Sequence, residues 1–175
     1  MEKMNTSFVY YSHLHINPYS LYIVATTQGI CYISSNHGDF QEVEQWVKKH
    51  IPNAQIILDN EYLQIYFEQL KEYFNQKRTV FDVPLDLRGT TFQRDVWNVL
   101  KEIPFGEMNT YSEIAEYIGK PTATRAVASA IGQNPVMIIV PCHRVIRKDG
   151  SLSGFRGGTD MKRLLQQLES DVINK

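Results

Sequence analysis

Residues 138–146 constrain this chain more than any other stretch, because they place reactive polar side chains inside an apolar, β-branched run. Such a run predicts a buried strand. Pro141 fixes φ and removes a backbone donor, so we expect the strand to turn there and to present Cys142 at its end. A thiol is a strong nucleophile only as thiolate, and a neighbouring cation or base lowers its pKa. His143 and Arg144 follow directly, which predicts an activated nucleophile.

These nine residues alone are explained equally well by an inert core thiol, since free cysteine is among the most buried residue types. Cys31 is the only other cysteine, and a disulfide would consume the candidate nucleophile. The chain contains no apolar stretch long enough to span a bilayer, and its start lacks a signal-peptide core. We therefore expect a cytoplasmic protein with free thiols.

Charge is distributed unevenly along the chain. The formal net charge of −1 over 175 residues does not indicate a nucleic-acid partner. Residues 120–163, however, are strongly basic. A basic segment on a slightly acidic protein is typical of a phosphate-binding surface, although a solvated basic face would look the same. Its basic residues are Lys120, Arg125, Arg144, Arg147, Lys148, Arg156, Lys162 and Arg163, against Asp149 and Asp160.

The N-terminal half has the pattern of a small α/β unit, and alone it indicates no chemistry. His13 and His15 would share one face of a strand and could bind metal. Because Cys31 is the only cysteine in this half, we expect no metal. Pro84 confines the last segment to a sheet edge. The predicted elements are strands over 7–35 with a hairpin at Gln28-Gly29, a helix over 40–50, a strand over 54–58, a helix over 60–75, and an edge strand and linker over 79–88.

The C-terminal half is mostly helical in pattern and contains a predicted helix-turn-helix. Its second helix is rich in alanine, which predicts close approach to another surface: a neighbouring helix or, given Arg125 near its start, DNA. Gly154, Gly157 and Gly158 predict a loop with close backbone approach. The predicted helices are one capped by Thr91, one over 112–118 capped by Thr110, one over 123–132 capped by Thr122 after a turn at 119–121, and one from Thr159 or Asp160 to Glu169.

Several separate strings in residues 88–170 resemble the O6-alkylguanine-DNA alkyltransferases, a family also called methylated-DNA–protein-cysteine methyltransferases. Strings at consistent spacing are far more specific than one motif. Residues 1–87 match only in general pattern. The strings are Thr91-Phe92-Gln93, Val96-Trp97, Ile103-Pro104 with Gly106, Thr110-Tyr111, Ile114-Ala115, Arg125-Ala126-Val127, Asn134-Pro135, Pro141-Cys142-His143-Arg144-Val145, Gly157-Gly158 and Lys162 through Leu165.

The resemblance implies an α/β fold with two domains: a small N-terminal α/β (ribonuclease-H-like) domain over 1–84, and a mostly helical C-terminal domain with a helix-turn-helix over 85–175. It implies direct-reversal DNA repair, in which the alkyl group of O6-alkylguanine moves irreversibly to Cys142, once per molecule. No cofactor is implied. The implied partner is double-stranded DNA, bound through the minor groove by a monomer after the base has been flipped out. Activity on O4-alkylthymine stays open.

The resemblance also assigns site residues. Cys142 would be the nucleophile, His143 would take its proton through a water, and Glu169 would orient His143. Tyr111 would lie near the flipped nucleotide's phosphate and donate to the base. Arg125 would fill the vacated space in the duplex. The helix residues Ala123, Thr124, Ala126 and Ala130 would lie in the groove, and Asn134, Pro141, Arg144, Val145, Phe155 and Arg156 would support the active site.

Several of these residues also have ordinary structural interpretations. Glu169 could be a solvated residue at a helix end, and Asn134 a helix C-cap. Arg144 could contact backbone or phosphate, or form a structural ion pair. Arg156 stands where some relatives have a small hydroxyl residue that helps to hold the base.

Two other functions fit part of the pattern. A cysteine hydrolase could use Cys142, His143 and Glu169, but such enzymes take their histidine from far along the chain. A DNA damage sensor of this fold would bind without reacting, but such proteins lack the cysteine.

Overall fold

The N-terminal half is built on a four-stranded sheet of order β3-β2-β1-β4. The structure, a computed structural model, describes residues 7–151 and 155–174; Gly154 of the predicted loop lies outside them. The antiparallel strands are β1 (Phe8–Ile16), β2 (Tyr19–Thr26) and β3 (Gly29–Ile33), and β4 (Gln55–Leu58) runs parallel to β1. The strands predicted over 7–35 and 54–58 are therefore present.

Side-chain alternation along the strands gives each face of the sheet its own helix. Helix α1 (Phe40–His50) covers one face, where Val43 packs in a cluster with Val24 and Cys31. Helix α2 (Gln64–Phe74) covers the other and begins after turn residues, later than predicted. The cluster on the α2 face continues into the C-terminal half, so the two halves share one core there.

The segment over 79–88 is not a strand, contrary to the prediction. Only Leu85 pairs with β3, through a single bridge to Ile30. Ile30 donates its N–H to the carbonyl of Pro84 at 3.0 Å, and the N–H of Asp86 donates to the carbonyl of Ile30 at 2.9 Å. Pro84 lacks an N–H, so the contact stays one residue long at the sheet edge.

Over its described residues, the C-terminal half consists of four helices and a two-stranded parallel ribbon. The elements are α3 (Thr91–Leu100), β5 (Asn109–Thr110), α4 (Tyr111–Tyr117), α5 (Thr124–Gly132), a 3-10 turn (Cys142–Arg144), β6 (Val145–Ile146) and α6 (Thr159–Ile173). None of these helices or of α1 and α2 is long and apolar enough to cross a membrane.

Two of the three predicted helix caps in this half are shifted by one residue. Thr90, not Thr91, caps α3, in a reciprocal capping box with Gln93. Helix α5 begins at Thr124 with Ala123 in the cap position and no side-chain cap, so Thr122 is not the cap. Thr110 caps α4 as predicted.

Helix α6 continues to Ile173, well past the predicted end at Glu169. This extension places Glu169 inside the helix, where its side chain is fully buried. The interpretation of Glu169 as a solvated helix-end residue is therefore wrong.

The buried strand predicted before Cys142 is not formed. The chain instead turns tightly: the N–H of Val140 donates to the carbonyl of Val136 at 3.0 Å, and Ile138 has φ +77°. A short apolar run bounded by turn signals indicates burial but does not by itself distinguish strand from turn. The burial was predicted correctly, and the backbone conformation was not.

Candidate active site

Asn134 fixes the turn that carries Cys142. Its side-chain amide donates to the carbonyl of Val140 at 2.8 Å, and its side-chain oxygen accepts from the N–H of Val136 at 3.0 Å. Asn134 is buried and directly follows Gln133, the C-cap of α5. One side chain thus joins the end of α5 to both ends of the turn, which is more than a helix C-cap would do.

The 3-10 turn and the β-ribbon bring distant residues to this place. The carbonyl of Pro141 accepts from the N–H of Arg144 at 3.0 Å and closes the turn. Val145 then pairs with Asn109 in the parallel ribbon. Since Tyr111 directly follows β5 and Cys142 lies just before β6, the ribbon holds these two residues on neighbouring elements.

Cys142 is buried, and the prediction that its sequence neighbours lower its pKa is wrong. Burial raises the pKa of the Cys142 thiol, and this effect outweighs the Asn134 hydrogen bond and the charges of Arg156 and Lys162, which lower it. His143 and Arg144 do not oppose the rise, because their side chains bind Glu169.

The carboxylate of Glu169 is the centre of a buried hydrogen-bond network. Its Oε2 accepts from Nε2 of His143 at 2.5 Å, and Arg144 donates to both carboxylate oxygens, at 2.9 and 3.1 Å. The backbone N–H of Gly106 donates to Oε1 at 3.0 Å. A buried carboxylate with this many donors is held in one orientation and stays ionised.

Arg144 is the permanent counter-charge of this network. Besides Glu169 it binds the carbonyl of Ile103 at 2.6 Å, and it is only 6% exposed. Two of the predicted alternatives are therefore both correct, the backbone contact and the structural ion pair, and the burial of this side chain leaves no room for a phosphate contact.

The network determines the protonation of His143. Because a carboxylate only accepts, Nε2 of His143 carries the proton and Nδ1 is left as the acceptor. Nδ1 is buried and has no hydrogen-bond partner among the described residues. Burial lowers the pKa of His143 despite the opposing effect of Glu169.

Burial would raise the pKa of Glu169, but the hydrogen bonds and charges of His143 and Arg144 lower it well below its usual range. The result is a neutral imidazole beside an ionised, oriented acid.

Tyr73 belongs to this network, and sequence reasoning missed it. Its hydroxyl donates to Oε2 of Glu169 at 2.6 Å and lies 3.5 Å from Nε2 of His143. A tyrosine on a helix that packs on a core usually needs a partner for its hydroxyl. That was the available signal, but the partner lies 96 positions along the chain.

A cavity of about 440 Å³ lies beside α5. Its volume is in the usual range for a site that binds a small molecule. Cys142 is not among the described residues that line it. The lining residues are Tyr111, Thr124, Arg125, Ala128, Gly132, Arg147, Phe155 and Arg156.

The walls of this cavity depend on a close backbone approach. A Cβ on Gly157 would lie 2.7 Å from both the ring of Phe155 and the sulfur of Met161. A side chain at position 157 would therefore displace Phe155 or Met161, and with Phe155 a part of the cavity wall.

Only part of the predicted groove-binding face of α5 is exposed. Arg125 and Ala126 are exposed and share that face with Ser129, which the site prediction omitted. Ala123 and Thr124 are partly buried. Ala130 is buried against α3, where its carbonyl accepts from the indole N–H of Trp97 at 2.8 Å. Both interpretations of the alanine-rich helix are therefore partly correct. Ala130 packs against a neighbouring helix, and Ala126 lies on an exposed face.

Arg156 connects the two halves of the chain instead of standing free in a base-binding position. Its guanidinium donates to the carbonyls of Asn134, Pro135 and Ile33 at 3.1, 3.2 and 2.5 Å. It also lies 4.7 Å from the ring centre of Tyr32 and donates to that hydroxyl at 3.1 Å. The five N–H donors of a guanidinium lie in one rigid plane, which suits a side chain that binds several carbonyls at once. Arg156 ties β3 to the active-site turn.

The basic segment divides into buried and exposed residues. Arg144 and Lys162 are buried, and Arg156 is used between the halves. The exposed cations that can meet phosphate are Lys120, Arg125, Arg147, Lys148 and Arg163. No group of three or more metal-ligating side chains occurs within residues 7–151 and 155–174.

Comparison with known proteins matches both halves. The family model described as "6-O-methylguanine DNA methyltransferase, ribonuclease-like domain" matches residues 9–87, and the model of the DNA binding domain matches residues 91–171. This confirms the predicted fold class. The inducible methylated-DNA–protein-cysteine methyltransferase of Bacillus subtilis (strain 168) is 44% identical over 165 residues, covering 94% of this chain and 92% of the relative.

Solved structures agree with this assignment. The Mycobacterium tuberculosis O6-methylguanine methyltransferase is similar with a TM-score of 0.81 and 37% identity, covering 93% of each chain. The M. tuberculosis OGT in complex with DNA has a TM-score of 0.79 and 36% identity, covering 94% of each chain. With a buried Cys142 beside an oriented His143–Glu169 pair, this chain belongs to the methylated-DNA–protein-cysteine methyltransferase family.

Proposed function

We propose that this protein repairs DNA by moving the alkyl group of O6-alkylguanine to the sulfur of Cys142. The observation that carries the proposal is the site itself: a family signature cysteine on a pinned turn, followed by a neutral buried histidine bound to an ionised acid. A cysteine hydrolase is not favoured, because family membership rests on both halves of the chain.

The chemistry is a displacement at carbon. A sulfur–carbon bond forms as the bond between the carbon and O6 breaks, and the electron pair of that bond stays on the guanine oxygen. The thiol proton passes to Nδ1 of His143 through a water, since Nε2 is committed to Glu169. Guanine takes up one proton from solvent, and a hydrogen bond from the Tyr111 hydroxyl makes the base a better leaving group.

Burial of the thiol is useful in this reaction. Before the lesion arrives, the raised pKa keeps Cys142 protonated and unreactive toward other electrophiles. His143 is neutral at pH 7 and can accept the proton when an alkyl carbon is in place. Arg156 and Lys162 favour the thiolate that then forms. A desolvated thiolate is a stronger nucleophile than one in water.

Each molecule should react once. The product is a thioether, which has no good leaving group, and the described site contains nothing that could remove the alkyl group from sulfur. The expected kinetics are a stoichiometric burst without steady turnover.

We further propose that the lesion reaches Cys142 through the cavity beside α5, with the exposed face of α5 in the minor groove. The lesion is hidden in the duplex, so the base must be extruded, and Arg125, which lines the cavity, would fill the gap that the base leaves. Small residues beside Arg125 permit close approach to the groove floor. We also propose that the protein acts as a monomer in the cytoplasm. The boundary between its two domains lies, in this proposal, between residues 84 and 85.

Intact-mass measurement tests the reaction. Incubation with a duplex that contains one O6-methylguanine should add one methyl group to Cys142 and leave unmodified guanine in the DNA. Tight binding of the duplex without a mass change would instead support a damage sensor. Cleavage of a thioester or a peptide would support a hydrolase.

Arg125→Ala tests the DNA face. The substitution should weaken binding of lesion-containing duplex by about 3- to 30-fold, since one phosphate- or groove-directed arginine is lost. Arg125 is exposed, so the free energy of unfolding should change by less than about 0.5 kcal/mol. Arg94→Ala, at an exposed arginine on α3 outside both the basic segment over 120–163 and the cavity wall, is the matched control. Unchanged binding in Arg125→Ala would contradict the proposed interface.

A further inference from the structure

The buried acid of the site has a partner that the mechanism above does not use. Tyr73 lies at the end of α2 in the N-terminal half, and its side chain is fully buried. Its hydroxyl donates to the same oxygen of Glu169 that accepts from His143. One carboxylate oxygen therefore connects an N-terminal side chain with the proton acceptor of the reaction.

We propose that Tyr73 is a positioning residue for alkyl transfer, through which the N-terminal half sets the orientation and basicity of His143. The inference rests on the proposed function. It gives the N-terminal half a part in the chemistry, beyond covering one side of the core.

Competition for Oε2 is the physical basis of the effect. Oε2 of Glu169 accepts from His143, Tyr73 and the terminal nitrogen of Arg144. Each additional donor withdraws electron density from the oxygen and weakens its attraction for the proton on Nε2. Tyr73 therefore keeps Glu169 from stabilising the imidazolium form, so that His143 remains a neutral acceptor before the reaction.

The hydroxyl of Tyr73 is held firmly enough to have this effect. Its ring lies 5.3 Å from that of Phe81 and 6.1 Å from that of Phe105, centre to centre. Phe105 directly precedes Gly106, whose N–H binds the other carboxylate oxygen. The rings fix Tyr73 from two further segments, so its hydroxyl has no alternative position at low cost.

The charged and titratable groups around His143 come from three elements. They are Glu169 and Lys162 on α6, Arg144 on the 3-10 turn, and Tyr73 on α2. The charges of Arg144 and Lys162 lower the pKa of His143 and so favour its neutral form, as Tyr73 does. Glu169 alone opposes them, so a change at Tyr73 acts directly on that balance.

Tyr73→Phe removes the donor and keeps the ring. Tyr66→Phe is the matched control, because Tyr66 is also buried on α2, and among the described residues its hydroxyl makes no hydrogen bond to Glu169. Single-turnover methyl transfer is measured against pH and against DNA concentration, which separates the saturating rate constant from the half-saturating DNA concentration.

Loss of one hydrogen bond should lower the saturating rate constant of Tyr73→Phe at neutral pH by about 3- to 10-fold. The acid limb of the profile should move to higher pH, because His143 then binds its proton more tightly. The half-saturating DNA concentration should not change. Tyr66→Phe should keep the wild-type midpoint. A purely structural tyrosine would lower stability and leave the pH midpoint in place, which would overturn the inference.

A second replacement keeps the test decisive if Tyr73→Phe does not fold. Difluorotyrosine at position 73 retains the shape and the O–H but is a stronger donor. It should move the acid limb to lower pH, opposite to Tyr73→Phe, and an unmoved limb would overturn the inference. A wild-type protein that transfers no methyl group at any pH would overturn the proposed function together with this inference. Wild-type transfer with an unmoved Tyr73→Phe profile would overturn the inference alone.

Discussion

The two cysteines of this chain are both buried, yet only one of them has the surroundings of a nucleophile. Cys31 lies on β3 among valines, donates to the carbonyl of Val24, and has a pKa raised by burial to about 12. Burial also raises the pKa of Cys142, but Asn134, Arg156 and Lys162 oppose that rise, and a neutral imidazole follows it in the chain. Exposure therefore does not distinguish a reactive thiol from an inert one here. The difference lies in the neighbouring polar groups. Asn134, Arg156 and Lys162 all lower the pKa of Cys142, whereas Asp86 raises the pKa of Cys31 and Arg88 lowers it.

The largest expected effect comes from exchanging the cysteines one at a time. Cys142→Ser should abolish methyl transfer, because serine is a far weaker nucleophile at neutral pH and its activating groups are tuned to a thiol. Cys31→Ser should transfer at the wild-type rate, with a stability loss of about 1–3 kcal/mol from placing a hydroxyl among valines. Rapid-quench assays and thermal unfolding measure the two effects. Residual methyl transfer by Cys142→Ser would show that Cys142 is not the only acceptor, and would contradict the contrast between the two cysteines.

Glu169→Gln should reduce the rate constant of transfer by about 10²-fold or more, because His143 loses the acceptor that sets its tautomer. The free energy of unfolding should fall by about 3–5 kcal/mol, since Arg144 is left as a buried charge without a counter-ion. Urea unfolding of the variant and of Glu107→Gln, a change outside this network, gives the comparison. If Glu169→Gln folds and reacts like wild type, the network is not needed for activation.

The pH dependence of the transfer rate should report on the groups around Cys142 and not on those around Cys31. The rate constant of transfer should rise through a midpoint below 6.5, the usual pKa of histidine, and then level off, because the lowered pKa keeps His143 neutral above that midpoint. Stability should fall as pH drops below 6.5, since the unfolded chain then binds a proton at this histidine more readily than the folded chain does. Glu169, whose folded pKa is also lowered, adds a further loss of stability at more acidic pH. Cys31→Ser should share the whole profile, and a midpoint above 6.5 would contradict the assignment of His143.

Arg156→Lys should have a smaller effect, a loss of about 1–3 kcal/mol in stability and a few-fold lower transfer rate. Lysine keeps the charge that favours the Cys142 thiolate but cannot bind three carbonyls and stack on Tyr32. Arg163→Lys, at an exposed arginine, controls for the change of residue type. Equal stability of the two variants would show that Arg156 does not tie the halves together.

The same contrast explains how far the sequence predicted this molecule. The strings around Cys142 were specific enough to identify the family and hence the fold, and β-forming residues with a hairpin signal at Gln28-Gly29 predicted the N-terminal strands. Local signals failed where a tertiary contact decides. The Asn134 side chain binds the turn before Cys142, and Glu169, predicted to end α6, lies inside the helix with its carboxylate bound to distant residues.

Residues that act across the chain were the hardest to predict. Tyr73 meets Glu169, and Arg156 meets Tyr32 and Ile33, only because the two halves pack together. No periodicity or spacing within one half contains that information. The pKa of Cys142 was predicted in the wrong direction for the same reason, since its neighbours in sequence are not the groups that oppose its burial.

The central claim is that one buried sulfur, and not the other, keeps the alkyl group. The most direct test is peptide mapping by mass spectrometry after the wild-type protein meets a several-fold molar excess of an O6-methylguanine duplex, with the repaired DNA quantified in the same reaction. The account predicts one methyl group per molecule, on Cys142 alone, with no further product under excess DNA. A methyl group on Cys31, or product beyond one equivalent, would contradict it.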